Sequence, residues 1–367
     1  RLESTCKRHF QLYQIRNSHL TRIIAAAVAL TSLVCCRPRT VETGEMYGLV
    51  KTALYDTTSG YYGGVAQSPS DIAELPIGIF DLNLGGMAAL ERITQLDRFD
   101  NITSSENPDL IPDFAGEHFI YYTALSNADS TRNSTGEVNI RDAAIKNTLF
   151  LMGDKCAQGE KERAKIVIAS GNLTYGTGIN DIRQMLDASG TGVKMVSVVE
   201  EGIKGLLDAM ESRGITYFAV GLLADGATIS KGAYQQMLRD VAAARGYRNV
   251  IPMVTRDLNC EDSIGLYMLD EAFSQMIEQH YHSGAVIVEN VLTPELMALY
   301  NDIIRNYRSK RIGGTYPYRN VISEEVLFID PTEYAAMECY RVLRSGSNLA
   351  LRITPQDIRH YTDLPTF

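Results

Sequence analysis

Leu75-Pro76-Ile77-Gly78-Ile79-Phe80-Asp81, followed at once by Leu84-Gly85-Gly86, is the stretch on which the fold turns. Its short apolar run, stopped by an Asp and a Gly pair, predicts a buried strand, a turn and then a helix over 87–96. The same unit recurs along the chain. Strands are predicted at 118–122, 165–169, 193–199, 217–223, 250–254, 285–288 and 326–329. Helices are predicted at 140–152, 180–188, 202–211, 232–245, 264–280, 294–307 and 332–343. This alternation predicts an α/β fold with mainly parallel sheets flanked by helices. Ligands of such sheets sit at the carboxyl ends of strands. Attention therefore falls on the loops after Phe80, Ala169, Val199, Leu223 and Val288.

The 367 residues can hold two lobes, and 45% hydrophobic with 22% charged residues is an ordinary globular composition. A net charge of −9 argues against a nucleic-acid binder, which needs a basic face, but leaves room for a small anion in a local pocket. The six cysteines show no CxxC or Cys/His spacing, so neither a metal site nor a disulfide framework is expected. His118, His280 and His282 show no catalytic spacing. Residues 37–74 are polar and weakly periodic, and read as a tether with some ordered structure added to the first lobe.

The first 36 residues differ from the rest. Lys7, Arg8, Arg16 and Arg22 precede an apolar run from Ile23 to Leu30 that continues to Cys35-Cys36. A basic segment followed by a short apolar one reads as an export signal, too short for a comfortable membrane span. Leu33-Val34-Cys35-Cys36 resembles a bacterial lipoprotein box, with Cys36 as the lipidated residue. The expectation is a protein exported to the bacterial periplasm and held at the membrane by its lipid.

The 75–86 segment, together with Val220-Gly221-Leu222-Leu223-Ala224-Asp225-Gly226-Ala227-Thr228-Ile229-Ser230-Lys231-Gly232-Ala233-Tyr234, resembles signature segments of the glutamate racemases. These are cofactor-independent enzymes of the aspartate/glutamate racemase superfamily. Further segments follow in the family's order. Ile166-Val167-Ile168-Ala169-Ser170-Gly171-Asn172-Leu173-Thr174 resembles the strand that carries the first catalytic thiol. Val198-Val199-Glu200-Glu201-Gly202 resembles a Val-Ile-Glu-Pro-Gly string. Glu289-Asn290-Val291-Leu292-Thr293-Pro294 stands where the second thiol is found, and Phe328-Ile329-Asp330-Pro331-Thr332 resembles the closing motif. The resemblance implies two pseudo-symmetric lobes with a cleft between them, the first over 75–196, rejoined by 313–367, and the second over 197–312. It implies no cofactor.

It also exposes a loss. Ser170 or Gly171 occupies the first thiol position and Asn290 the second, while Leu82 and Asn83 replace the Ser-Gly that follows the family's Asp. Racemising an amino acid without a cofactor needs an acid and a base on opposite faces of Cα, and the family uses two activated thiols. A Ser hydroxyl without its own activating base is too weak for this, and Asn has no useful proton chemistry near neutrality. The expected protein is thus an exported racemase-like chain without racemase activity. Its cleft would bind a small carboxylate or amino-acid-like ligand, or an envelope protein partner. Asp81 and Glu200 are the candidates for any replacement acid–base chemistry. Asn83, Ser170, Asn172, Thr174, Thr228 and Asn290 are the candidate ligand contacts.

Overall fold

The computed structural model describes residues 46–63, 71–81, 86–123, 139–156, 159–170, 178–215, 218–224, 226–247, 253–257, 283–288, 294–350 and 356–362. Two parallel sheets organise the unit Tyr47–Phe367. In the first, β1 (Ile77–Asp81) lies between β2 (His118–Thr123) and β5 (Ile166–Ala169). Strands β6 (Lys194–Ser197) and β11 (Asp357–Tyr361) form its edges, giving the order β11-β2-β1-β5-β6. The second has the order β10-β9-β7-β8, from β7 (Ala219–Ala224), β8 (Met253–Asp257), β9 (Ser283–Val288) and β10 (Ile322–Ile329). A small hairpin, β3 (Lys155–Cys156) with β4 (Gly159–Glu160), precedes β5. Parallel sheets with helices between their strands are the α/β class expected from the alternation.

The helices explain how the chain passes between sheets. On one face of the first sheet, Ile77, Ile79, Phe119, Tyr121, Ile166 and Ile168 pack against Leu90 and Ile93 of α2 (Gly86–Thr94) and Ala335, Cys339 and Tyr340 of α9 (Pro331–Ser345). Helix α5 (Val198–Ser212) buries Val199, Ile203, Leu206 and Met210 against β7 and β9. The opposite face of the second sheet is covered by Tyr300, Ile303, Ile304 and Tyr307 of α8 (Pro294–Ser309). Three further helices are α1 (Gly48–Tyr55), α3 (Ile140–Met152) and α4 (Ile179–Ser189), and α6 (Gly226–Lys231) and α7 (Ala233–Ala244) follow β7.

Three sequence expectations shift. The chain rejoins the first lobe after Ile329, not at 313. Strand β10 pairs with β9 through Leu327↔Ala285, Phe328↔Val286 and Ile329↔Ile287, so it belongs to the second sheet. The strand expected over 193–199 ends at Ser197, because that side chain accepts the Glu200 amide and starts α5 four residues before the expected 202. Strand β11 was not foreseen. It pairs with β2 from Asp357↔His118 to Tyr361↔Tyr122. The helix expected over 264–280 lies outside the described residues.

Helices α5 and α9 join the two sheets by packing on each other. At Gly202 a Cβ would stand 2.6 Å from the Pro331 Cβ and 2.9 Å from its Cα, and at Gly205 it would overlap the Tyr334 ring. Asp330 caps α9, accepting the amides of Thr332 at 2.9 Å and Glu333 at 3.4 Å. Arg92 of α2 reaches the same helix start through Glu333 at 2.7 Å. The two motif segments 198–202 and 328–332 therefore meet at one structural joint.

Candidate functional site

Strands β1 and β2 run in register, with Ile79↔Tyr121 and Asp81↔Thr123. Side chains alternate along a strand, so Asp81 and Thr123 share the face of Ile79 and Tyr121 at the carboxyl end of the sheet. Asp81 is only 1% exposed. Residue Ser170 follows β5, and both its amide and its hydroxyl donate to the Phe80 carbonyl at 3.1 Å. That hydroxyl is tied to β1 one residue before Asp81.

Strand β11 adds His360 to this face. His360 pairs with Tyr121 in register, and its ring lies 5.0 Å from the Tyr121 ring. Its Nε2 is 3.4 Å from the Thr123 hydroxyl. Tyr121 is fully buried, and its hydroxyl has no hydrogen-bond partner among the described residues. Burial first, and then the negative charge of Asp81, push the Tyr121 hydroxyl above its ordinary range, so it stays a neutral donor. Asp81, Tyr121, Thr123 and His360 thus line three neighbouring strands on one face. A row of this kind can hold a ligand with a positive group at one end and an acceptor at the other.

Neither a family model nor a curated protein matches the chain. Solved structures similar to it include the glutamate racemase of Francisella tularensis subsp. tularensis SCHU S4 in complex with D-glutamate. That match has 18% identity and a TM-score of 0.46, over 80% of this chain and 90% of that one. The Campylobacter jejuni subsp. jejuni glutamate racemase matches at 14% identity and 0.42, over 80% and 94% of the two chains. The Aquifex pyrophilus glutamate racemase matches at 16% identity and 0.40, over 73% and 84%.

The sequence candidates fall in different places. Asp81 and Ser170 come together as described. Glu200 lies in the first turn of α5, where Lys204 holds one carboxylate oxygen at 2.7 Å and Arg183 holds the other. Burial raises its pKa, but Arg183 and Lys204 outweigh that and hold the carboxylate below its ordinary range. A carboxylate held in this way is a weak base. Thr228 is fully buried in α6, at the carboxyl end of the second sheet. Asn83, Asn172, Thr174, Asn290 and Cys36 lie outside the described residues.

Cys339 sits in the core on α9, where burial pushes its thiol well above the ordinary range. Cys156 belongs to the hairpin after α3. No group of three or more His, Cys, Asp or Glu side chains able to hold a metal occurs among the described residues. Sequence reasoning missed Tyr121, Thr123 and His360. Strand alternation places Tyr121 and Thr123 beside Asp81 once the β1–β2 register is known. His360 carries no local signal, because its strand reads as a polar tail.

Proposed function

We propose that this chain binds a small amino-acid-like ligand at the carboxyl end of its first sheet and does not racemise it by thiol chemistry. The observation that carries the reading is the buried Tyr121 hydroxyl, which lies near the Asp81 carboxylate and has no hydrogen-bond partner among the described residues. A buried donor left unsatisfied costs free energy, and a ligand carboxylate or carbonyl would satisfy it. The Asp81 carboxylate suits an ammonium group, and the Thr123 hydroxyl and His360 imidazole suit the opposite end. From β1 to β11 is two strand spacings, about 9–10 Å, which an α-amino acid with its hydrogen bonds can span. The replaced thiol positions, and Glu200 held by two cations, support binding over turnover.

Ligand-observed NMR in D2O with both hands of glutamate, aspartate and alanine tests this. The expected result is broadening of ligand signals with the Cα proton retained. Asp81→Asn should weaken binding roughly 10- to 100-fold, the cost of one charge-assisted hydrogen bond. Binding that ignores Asp81→Asn overturns the site. Protein-dependent loss of the Cα proton overturns the non-catalytic reading, and abolition of that exchange in Asp81→Asn would make Asp81 the base.

The proposal includes export and a lipid on Cys36, resting on the basic-then-apolar leader and the Leu33–Cys36 box. Among the described residues no helix is long and apolar enough to cross a membrane. In a bacterial host fed radiolabelled palmitate, the protein should carry label and the Cys36→Ser variant none. Equal labelling of the two would overturn the anchor.

A further inference from the structure

The connection from α8 to β10 concentrates positive charge in a chain whose net charge is −9. From Ile303 to Ser323 the sequence carries Arg305, Arg308, Lys310, Arg311 and Arg319 and no acid. At its tip, Ile312 and Thr315 exchange backbone hydrogen bonds at 2.9 and 3.0 Å. Gly313 and Gly314 between them hold φ of +55° and +86°, which closes a tight hairpin turn. The turn leaves two large side chains in solvent, Ile312 at 49% and Tyr316 at 39% exposure. We propose that this turn docks on the surface of an anionic lipid bilayer.

Charge argues for an anionic partner. Arg305 pairs with Asp302, and Arg308 reaches the Ile322 carbonyl and Glu324. Lys310, Arg311 and Arg319 are exposed and meet no carboxylate among the described residues. Arg311 donates one N–H to the Gly314 carbonyl at 3.2 Å, and Arg319 one to the Arg308 carbonyl at 3.1 Å. Each guanidinium keeps further donors for a phosphate. The Lys310 ammonium stands 5.7 Å from the ring centroids of Tyr307 and Tyr318. The nearby acids of β10, Glu324 and Glu325, face Arg308 and Arg213. At physiological salt, exposed charges more than about 8 Å away are largely screened, so the patch outweighs the net charge on contact.

Shape favours a bilayer over a nucleic acid. A strand of bases needs open aromatic faces on which to stack. Here the Arg319 guanidinium lies 4.1 Å from the Tyr316 ring centroid and covers one face. An aliphatic side chain at the tip gains nothing from a phosphate backbone, whereas a lipid surface buries it. Tyrosine rings suit the level of the headgroups, and Lys and Arg stems lie along apolar surface with their charge in water. Ile312 and Tyr316 within a collar of Lys310, Arg311 and Arg319 have this arrangement. The surface is separate from the ligand site proposed above, and neither reading rests on the other.

The chain has no tryptophan, so Tyr316→Trp places a single reporter in the turn. The test uses the full chain with Cys36→Ser, so that failure of the anchor and failure of this surface are distinguishable. Vesicles of phosphatidylglycerol and phosphatidylcholine in equal parts should shift the tryptophan emission to shorter wavelength. Vesicles of phosphatidylcholine alone should leave it unchanged. Adding Lys310→Gln and Arg311→Gln should weaken the vesicle affinity roughly 10- to 30-fold, and high salt should do the same. Ile312→Ser should weaken it several-fold at unchanged charge. No shift, an equal shift with both vesicles, or indifference to the charge and Ile312 variants would overturn the inference. Quenching by a single-stranded oligothymidylate, with vesicles leaving the emission unchanged, would assign the patch to nucleic acid and overturn it as well.

Discussion

Lys165→Met is expected to destabilise the protein by about 3–5 kcal/mol, measured by urea unfolding at pH 7.5. Lys165 and Glu117 have side chains 0% and 2% exposed and meet at 2.6 Å. Their pairing ties four parts of the chain together. Lys165 opens β5 and also bonds the Ala73 carbonyl, while Glu117 precedes β2 and accepts the Ala350 amide at 2.8 Å. Removing the ammonium leaves a carboxylate in a site that water cannot reach, and this exceeds the loss of one hydrogen bond. The double variant Glu117→Gln/Lys165→Met should recover much of the loss, because no uncompensated charge remains.

The pH dependence of that single variant has a definite sign. In the native protein, burial pushes the Glu117 carboxyl up while Lys165 pulls it down, and burial wins. Without Lys165 the folded carboxyl rises further, above the unfolded value of about 4.3. Between those two values the folded state binds more protons than the unfolded one, so stability falls as pH rises. The deficit of Lys165→Met should therefore be smallest near pH 4.5 and grow toward pH 8. A pH-independent deficit would show that lost packing, not the stranded charge, sets the effect.

Gly202→Val should cost at least about 1–3 kcal/mol, although it replaces a glycine with a larger apolar residue in a helix. On an open helix the same change would cost little or gain slightly, since glycine is a poor helix former. Here the new Cβ would meet the Cβ and Cα of Pro331, the first residue of α9, and a backbone atom cannot turn aside as a side chain can. The damage should be shared between Gly202→Ala and Pro331→Gly. In the Pro331→Gly background, Gly202→Ala should cost clearly less than in the native protein. Additive costs in that cycle would show that the helices do not meet as described.

This joint shows why the motif segments could be read while their meaning could not. Glu200-Glu201-Gly202 and Asp330-Pro331 stand out in the sequence as functional strings. In the fold Gly202 makes room for Pro331, Asp330 caps α9, and Glu200 is held by Arg183 and Lys204. Asp81 fared differently, because a strand's carboxyl end is a local property and the sequence marks it directly. Its neighbours were not legible. Tyr121 lies one strand away and His360 two, and they join Asp81 only through the β11-β2-β1 pairing.

By itself the sequence determined the α/β alternation and the position of Asp81 at the end of an apolar strand. These depend on short-range periodicity, turn residues and residue identity. Only the tertiary structure decided that β10 belongs to the second sheet and that 357–361 forms an edge strand bearing His360. Each of these depends on pairing between segments far apart in the chain. A polar edge strand such as β11, exposed through most of its length, buries too little to leave a hydrophobic pattern of its own.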